Sequence, residues 1–547
     1  MESVDVLVIG AGINGAATFR DLAFQGLDVM LVDKGDICSG TSAAPSRMIH
    51  GGLRYLEHGE FRLVKEALRE RDLLLHNARH FVRPLPTFIP VKSWTSGIGT
   101  VIGTFLRLDL DSPAERGGLM VRSGLTLYDL YTRKRRTMPS HEFLEADEAL
   151  ERWPALDPDI VGVARYHDAW ISHPERLCLE VVLDGVAAGG TATSYTEVAG
   201  MSDGRIVLRD VDSGEERTIA PRLVINAAGP WIDKVNESLG IHGRLIGGTK
   251  GSHLVLDHPG LADLLDGEML YHETRDGRTG LIFPWNGKVI AGTTDIRVDD
   301  PDEVETDEAE IDYILETVAD AVPGLEVTRD HIDATYVGVR PLPFAGDLPT
   351  VKISRDHSMP VSEPDDGRPF PVFSLVGGKW TTFRAFAEEA TDAALEVLDR
   401  ERRVVTEPAE IGGARGYPAD PGPWLDELAE VSGLAPERVA DLVGRYGTTV
   451  ERMLDDLSGE VALSTLPTYS DAELAWVAAH EQVRHLVDIL DRRTTIAVLG
   501  EASDDVIEEV ARVVAPALGW DEARRTAEVE RAIASVRRRH GVPGAAA

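Results

Sequence analysis

The chain opens on an apolar run, "VDVLVIG", that ends in glycine. It continues through a small-residue helical pattern from Gly10 to Gly26 and returns to a second apolar run, "LDVMLVD". Short apolar runs bounded by glycine read as buried strands, so this opening predicts a strand, a tight turn, a helix and a parallel strand. Residues of roughly 60 to 80 follow a helical period and carry charges of mixed sign at i, i+4 spacing, Arg62, Glu66 and Glu70 among them. "GGTATSYTEVAG", "GRIVLRDVD" and "RLVINAAG" are strand-like and punctuated by glycine. "ETDEAEIDYILETVADAVPG" predicts a helix stopped at Pro323-Gly324, and "RDHSMPVSEPDDGRPFP" a polar loop before the strand "VFSLVGG". The pattern divides the chain into an α/β body over residues 1–398, a Pro/Gly-rich linker over 399–424, and a helical part over 425–547 with a frayed end.

Composition narrows the classes. The 547 residues are long enough for several domains and a large core. The formal net charge is −36, and lysine supplies only nine of the 56 basic residues. Such a surface fits either a salt-loving organism, where dissolved ions screen the self-repulsion, or an acidic protein from a GC-rich genome. Nonspecific nucleic-acid binding is disfavoured, because phosphates would meet a repelling surface. Cys38 and Cys178 are too few for an iron–sulfur cluster or a CxxC zinc site, which makes a reducing compartment the expectation. The N-terminus runs straight into a strand, so no signal peptide is expected, and no apolar run reaches the ~18 residues a membrane span needs. The nearest, residues 93–106 between Lys92 and Arg107, reads either as a buried loop or strand or as a surface that dips into a membrane interface.

Gly10, Gly12 and Gly15 stand in GxGxxG spacing between the first strand and its helix, and the second strand ends at Asp33. In that context the first glycine permits the tight turn, the second admits a pyrophosphate, and the third lets helix pack on strand. The helix N-terminus offers unpaired N–H groups to phosphates, and Asp33 would accept from ribose hydroxyls. Two further strand-to-glycine junctions, at Gly229 and Gly378, imply contacts spread along an extended cofactor, which suits FAD better than NAD. A helix following Gly378 would aim its amides at the edge of the flavin ring that gains negative charge on reduction.

The ordered set "IGAGINGAA", "IHGGLRYLEHGEFRLVKEALRERDLL", "NAAGPW", "KGSHLVL", "GTTD", "GVRPL" and "GGKWTTFR" resembles the FAD-dependent glycerol-3-phosphate dehydrogenases over nearly the whole chain. "LAWVAAHEQVRHLVDILDRRT" is similar to that family's helical C-terminal domain. Departures are mild: Asp33 where glutamate is frequent, Arg47 where lysine is common, and Trp380 where leucine is usual. The chain also lacks the cysteine-rich C-terminal extension of the anaerobic, multi-subunit branch. The resemblance implies a Rossmann-like FAD-binding domain of the glutathione-reductase/D-amino-acid-oxidase type, built from segments near 1–60, 150–240 and 365–398. It also implies a mixed-sheet substrate domain from segments near 75–150 and 241–364, with an all-α C-terminal cap. The implied reaction oxidises sn-glycerol 3-phosphate to dihydroxyacetone phosphate, and electrons pass from noncovalent FAD to a membrane quinone. A peripheral location on the cytoplasmic face of the membrane follows, with a homodimer or partner subunits as possible company.

Oxidising a secondary alcohol needs a proton acceptor, a hydride acceptor and fixed positive charge for the substrate phosphate. By resemblance, Arg54 and Arg340 are substrate arginines and His253 is the proton acceptor. His50 is a second base candidate or a lining residue of the flavin pocket. Tyr55, Thr293 and Lys379 are expected in the substrate pocket, Lys379 also serving an anionic flavin. Ser39, Thr41, Ser42, Ser46, Gly51 and Thr381 are expected around the cofactor, and Val198 would hold adenine through its backbone. Cys38 beside the cofactor raises a covalent flavin link, against which the resemblance implies noncovalent FAD. The competing readings are an oxidase that makes peroxide, whose internal insertion this chain lacks, a catalytic subunit of a larger complex, and a noncatalytic flavin-binding protein.

Overall fold

The computed structural model describes residues 2–52, 61–93, 125–126, 138–346, 348–350 and 353–542. Arg54, Tyr55 and residues 94–106 of the apolar segment lie outside the described residues.

The predicted opening unit forms: strand Glu2–Ile9, helix Ile13–Phe24 and strand Val29–Val32. It lies at the heart of a sheet ordered Val372–Ser374, Glu216–Asn226, Glu2–Ile9, Val29–Val32, Thr191–Thr193, each strand parallel to its neighbour. An antiparallel pair, Thr196–Ser202 and Arg205–Asp210, extends from the strand Glu216–Asn226. Parallel strands must be covered on both faces, which explains their nearly continuous apolar sequences. The first helix therefore packs with helices Pro174–Ala187 and Phe383–Val397 over Val6, Val8, Phe19, Leu179, Leu223 and Phe386. The strands of this sheet come from three distant stretches of the chain.

Among the described residues the second sheet is mixed and ten-stranded. At its functional end, strand Thr249–Leu256 lies between Lys288–Gly292 and Ile332–Arg340, both antiparallel to it. This register sets His253 opposite Gly292 on one side and Tyr336 on the other. The helix Glu308–Ala321 covers the sheet and starts in a capping box of Asp307 and Glu310.

The helix expected over roughly 60–80 runs Phe61–Asn77. Within it Arg62 and Glu66 lie 3.8 Å apart, whereas Glu70 turns inward to the buried guanidinium of Arg384, 2.7 Å away. The helix after Gly378 begins only at Phe383, because residues 379–382 form a turn closed by the Thr382 N–H on the Lys379 carbonyl at 3.1 Å.

The Pro/Gly-rich linker is tied to the body. Arg20 donates to the Glu410 carbonyl at 2.8 Å and the Ile411 N–H to Asn77 O at 2.8 Å. The first helix of the C-terminal part starts within the expected linker range, and the helices Gly422–Ser432, Pro436–Tyr446, Asp471–His480, Asp504–Leu518 and Glu522–His540 enclose a core that includes Leu442, Tyr446, Leu474, Val477, Ile507 and Val510. This domain docks through buried ion pairs. Asp36, just past the second strand, meets both Arg492 and Arg493, and Arg176 meets Glu481 at 2.7 Å. No helix among the described residues is long and apolar enough to cross a membrane.

Candidate active site

A cavity of about 1520 Å³ runs between the two sheets. One end is lined by the dinucleotide turn and Val198, the other by His50, His253, Thr293, Arg340, Lys379 and Thr381. Residues expected at opposite ends of an extended cofactor and its substrate thus share one continuous space.

The dinucleotide end is built by backbone. A Cβ on Gly15 would fall 1.9 Å from the Gly10 carbonyl oxygen, so close packing of helix on turn requires glycine there. Gly10 itself adopts φ +104° against Ala227. Gly12 caps the helix with ordinary dihedrals, and its lack of a side chain matters for space: a Cβ would lie 3.1 Å from Ser42 Oγ. Asp33 accepts from the Ala11 N–H at 2.6 Å and the Gly35 N–H at 2.8 Å, which stiffens the turn from behind. Burial raises its carboxyl pKa against the pull of those two donors.

The loop 39–46 crosses from this turn to the second sheet, and its hydroxyls divide their tasks. Ser42 Oγ accepts from the Ile13 N–H at 3.0 Å, at the helix N-terminus, while Thr41 donates to the Val339 carbonyl at 2.6 Å. Ser46 Oγ lies 2.8 Å from His253 Nε2. The Ser39 carbonyl accepts from Arg539 of the last helix at 3.2 Å. Cys38 is buried beneath the turn with its thiol against Cys178; burial and that neighbour raise its pKa well above the usual thiol value. A buried, protonated thiol is a poor nucleophile, which fits cofactor held without a covalent link.

At the other end the backbone of His50-Gly51-Gly52 is pinned from two sides. The His50 N–H donates to Thr381 Oγ1 at 3.2 Å, and the Gly51 N–H to Asp168 at 3.0 Å. His50 and Gly52 face the cavity. Gly229 and Gly378 also line it; a Cβ on Gly378 (φ +90°) would strike Asn14 at 2.3 Å. Asn14 Oδ1 is buried without a hydrogen bond among the described residues, a polar atom aimed at the same junction.

Arg340 is held by several oxygens: Thr293 Oγ1 at 3.1 Å, Thr294 O at 3.2 Å and Asp295 at 3.2 Å. Arg355 stands 3.8 Å from the same Asp295. With Lys379 these cations give the cavity a positive end inside a strongly acidic chain. The histidines register that field. Burial, then Arg340 and Arg47, lower the His253 pKa to about 3; burial, then Lys379, Arg355 and Arg71, lower that of His50 to about 4. Both imidazoles are therefore neutral at pH 7, and the burial and cations that keep them so also disfavour the imidazolium that proton acceptance would form. This end of the cavity sets Arg340, Arg355 and Lys379 beside two neutral imidazoles, with Asp295 between the two arginines.

Four residues join the site that sequence reasoning assigned no role. Arg355 stood in a stretch read only as a polar loop, and Asp295 belongs to the quoted "GTTD". Asp168 is a lone acid in a strand. Gly251 in "KGSH" makes room for Arg340, since a Cβ there would fall 2.2 Å from Arg340 Nη2.

A parallel dinucleotide fold with glycine-lined turns, opening on a second-sheet cavity with a cationic end, defines a flavin-dependent oxidoreductase. A family model described as FAD dependent oxidoreductase matches residues 5–364, and one described as C-terminal domain of alpha-glycerophosphate oxidase matches residues 404–525. A glycerol-3-phosphate dehydrogenase of Synechocystis is 35% identical over 96% of this chain and 95% of its own length. A D-erythritol 1-phosphate dehydrogenase of Brucella abortus is 32% identical over 90% of this chain and 94% of its own. The solved glycerol-3-phosphate dehydrogenase of Bacillus halodurans complexed with FAD shares the fold, with a TM-score of 0.75 at 24% identity, over 100% of this chain and 97% of that one. The chain belongs to the FAD-dependent glycerol-3-phosphate dehydrogenase family.

Proposed function

We propose that the chain oxidises sn-glycerol 3-phosphate to dihydroxyacetone phosphate and delivers the electrons to a membrane quinone from a peripheral position on the membrane. The observation that carries this reading is Arg340, a guanidinium fixed by Thr293 and Asp295 at the cavity end where neutral His253 stands. FAD, when bound, supplies the hydride acceptor. Arg340, Arg355 and Lys379 supply the fixed charge that a phosphate dianion and a developing carbonyl oxygen require, and Arg54 and Tyr55 join them by family resemblance. His253 takes the hydroxyl proton at Nε2, with His50 the alternative acceptor. Thr293 and Asp295 orient the guanidinium. Gly10, Gly12, Gly15, Asp33, Ser42, Gly229, Gly378 and Thr381 hold the cofactor, with Val198 at its adenine.

Anaerobic mixing of the purified holoprotein with glycerol 3-phosphate tests the reaction: the flavin absorbance bleaches. Reoxidation by a soluble quinone, without peroxide, is the expected second half. Stoichiometric peroxide in air would replace the quinone reading by an oxidase.

A further inference from the structure

His253 has little freedom in how it meets a substrate. Its ring stacks on Tyr336, directly opposite in the strand register, with centroids 4.7 Å apart and planes 11° from parallel. Its Cδ2 edge lies against Gly292, where a Cβ would come within 2.6 Å. Its Nδ1 is buried and has no hydrogen bond among the described residues. The other nitrogen, Nε2, is covered by Ser46 Oγ at 2.8 Å.

Ser46 is itself held from both sides. The Pro45 carbonyl before it accepts from the Tyr336 hydroxyl at 3.3 Å. After it, Arg47 is buried, paired with Glu175 at 2.8 Å and stacked over Trp285 at 4.0 Å. The backbone on either side of this serine is therefore anchored, and its hydroxyl lines the cavity together with His253, Thr293 and Arg340. The neighbouring hydroxyls of Thr41 and Ser42 are committed to backbone groups, whereas that of Ser46 meets a base.

We propose that Ser46 is a catalytic residue: a hydroxyl relay that carries the substrate proton to His253 Nε2. The inference rests on the reading of His253 as the proton acceptor. As the C2–H bond breaks and its electron pair leaves as hydride to the cofactor, the C2 hydroxyl proton passes to Ser46 Oγ. The proton already on Ser46 passes to His253 Nε2. The substrate oxygen becomes the ketone oxygen, serine ends neutral, and the imidazole becomes imidazolium. A relay suits a base whose working nitrogen is already covered, because a hydroxyl both donates and accepts without leaving its place.

The test is anaerobic single-turnover bleaching of the holoenzyme by glycerol 3-phosphate in H2O–D2O mixtures, with Ser46→Ala and Ser46→Thr alongside. Expected is a curved proton inventory in the wild type, from two protons in flight. Ser46→Ala keeps its FAD affinity but bleaches about 100-fold more slowly, in the range that positioned acid–base groups supply, with a linear inventory. Ser46→Thr restores most of the rate. A linear inventory in the wild type overturns the relay without recourse to any variant. So does an unchanged rate in Ser46→Ala, or a loss of FAD affinity there that Ser46→Thr corrects, which would make Ser46 a cofactor ligand. If the wild-type flavin is not bleached at all, the proposed reaction fails and the relay with it.

Discussion

The guanidinium of Arg340 occupies the space that a side chain at position 251 would fill: a Cβ on Gly251 would lie 2.2 Å from Nη2 and 2.6 Å from Cζ. Gly251 and Arg340 sit on paired strands, where Gly251 faces Gly338 and Arg340 faces Thr249. The arginine thus reaches diagonally across its neighbour, and it can do so only over a bare backbone. Gly251→Ala is expected to push the guanidinium off Thr293 and Asp295. A displacement near 1 Å at a reacting centre costs on the order of 100-fold, so kcat/KM for glycerol 3-phosphate falls by about that factor while FAD stays bound. Steady-state kinetics beside the flavin-to-protein absorbance ratio check it.

The dinucleotide turn predicts the opposite phenotype. Gly15→Ala would set a methyl 1.9 Å from the Gly10 carbonyl oxygen, which no flexible side chain can relieve. The helix must then move off the turn, and purified protein is expected to carry little flavin.

How much of this site could be read from the chain depends on separation in sequence. GxGxxG and Asp33 lie within one strand–helix–strand unit, so local spacing located the turn, though not the hydrogen bonds Asp33 accepts from the Ala11 and Gly35 N–H groups. The convergence of His253 and Arg340 came from matching motifs, which say that residues meet but not through which atoms. Ser46 and His253 are 207 residues apart, and Gly251 owes its role to a cross-strand register. No periodicity encodes either contact. Arg355 was hidden because an irregular loop carries no pattern to mark one arginine out. The helix start at Phe383 did carry a local signal, its N-cap Thr382, but that side chain makes no capping hydrogen bond and the signal competes with the glycines just before it.

The buried histidines make stability depend on pH in a stated direction. Both folded values, about 3 for His253 and about 4 for His50, lie below the ordinary 6.5. Between about pH 4 and 6.5 the unfolded chain binds more protons, so stability falls as pH drops through that window. The melting temperature of the holoprotein is expected to decline from pH 6.5 downward. In His253→Gln the slope is expected to be shallower, because one of several buried histidines, His173 and His272 among them, is gone.

The C-terminal domain is held by charges without access to water. Asp36 accepts from Arg493 Nη2 at 3.0 Å and also pairs with Arg492, all three side chains being buried. Asp36→Asn leaves the buried Arg493 guanidinium with carbonyl partners only, whereas Arg492 keeps Asp488 and Asp491. Breaking a buried pair from one side costs about 3–5 kcal/mol. The expected result is faster proteolytic cleavage in the 399–424 linker, measured by limited digestion, as the domain loosens from the body.

Everything proposed for the reaction requires that Arg340 act on substrate and not on cofactor. The most direct test is anaerobic stopped-flow mixing of glycerol 3-phosphate with wild-type and Arg340→Ala holoprotein. Full flavin bleaching is expected in the wild type, and in the variant a bound flavin of unchanged spectrum that glycerol 3-phosphate fails to bleach. A variant that bleaches at the wild-type rate, or that is purified without FAD, would contradict it.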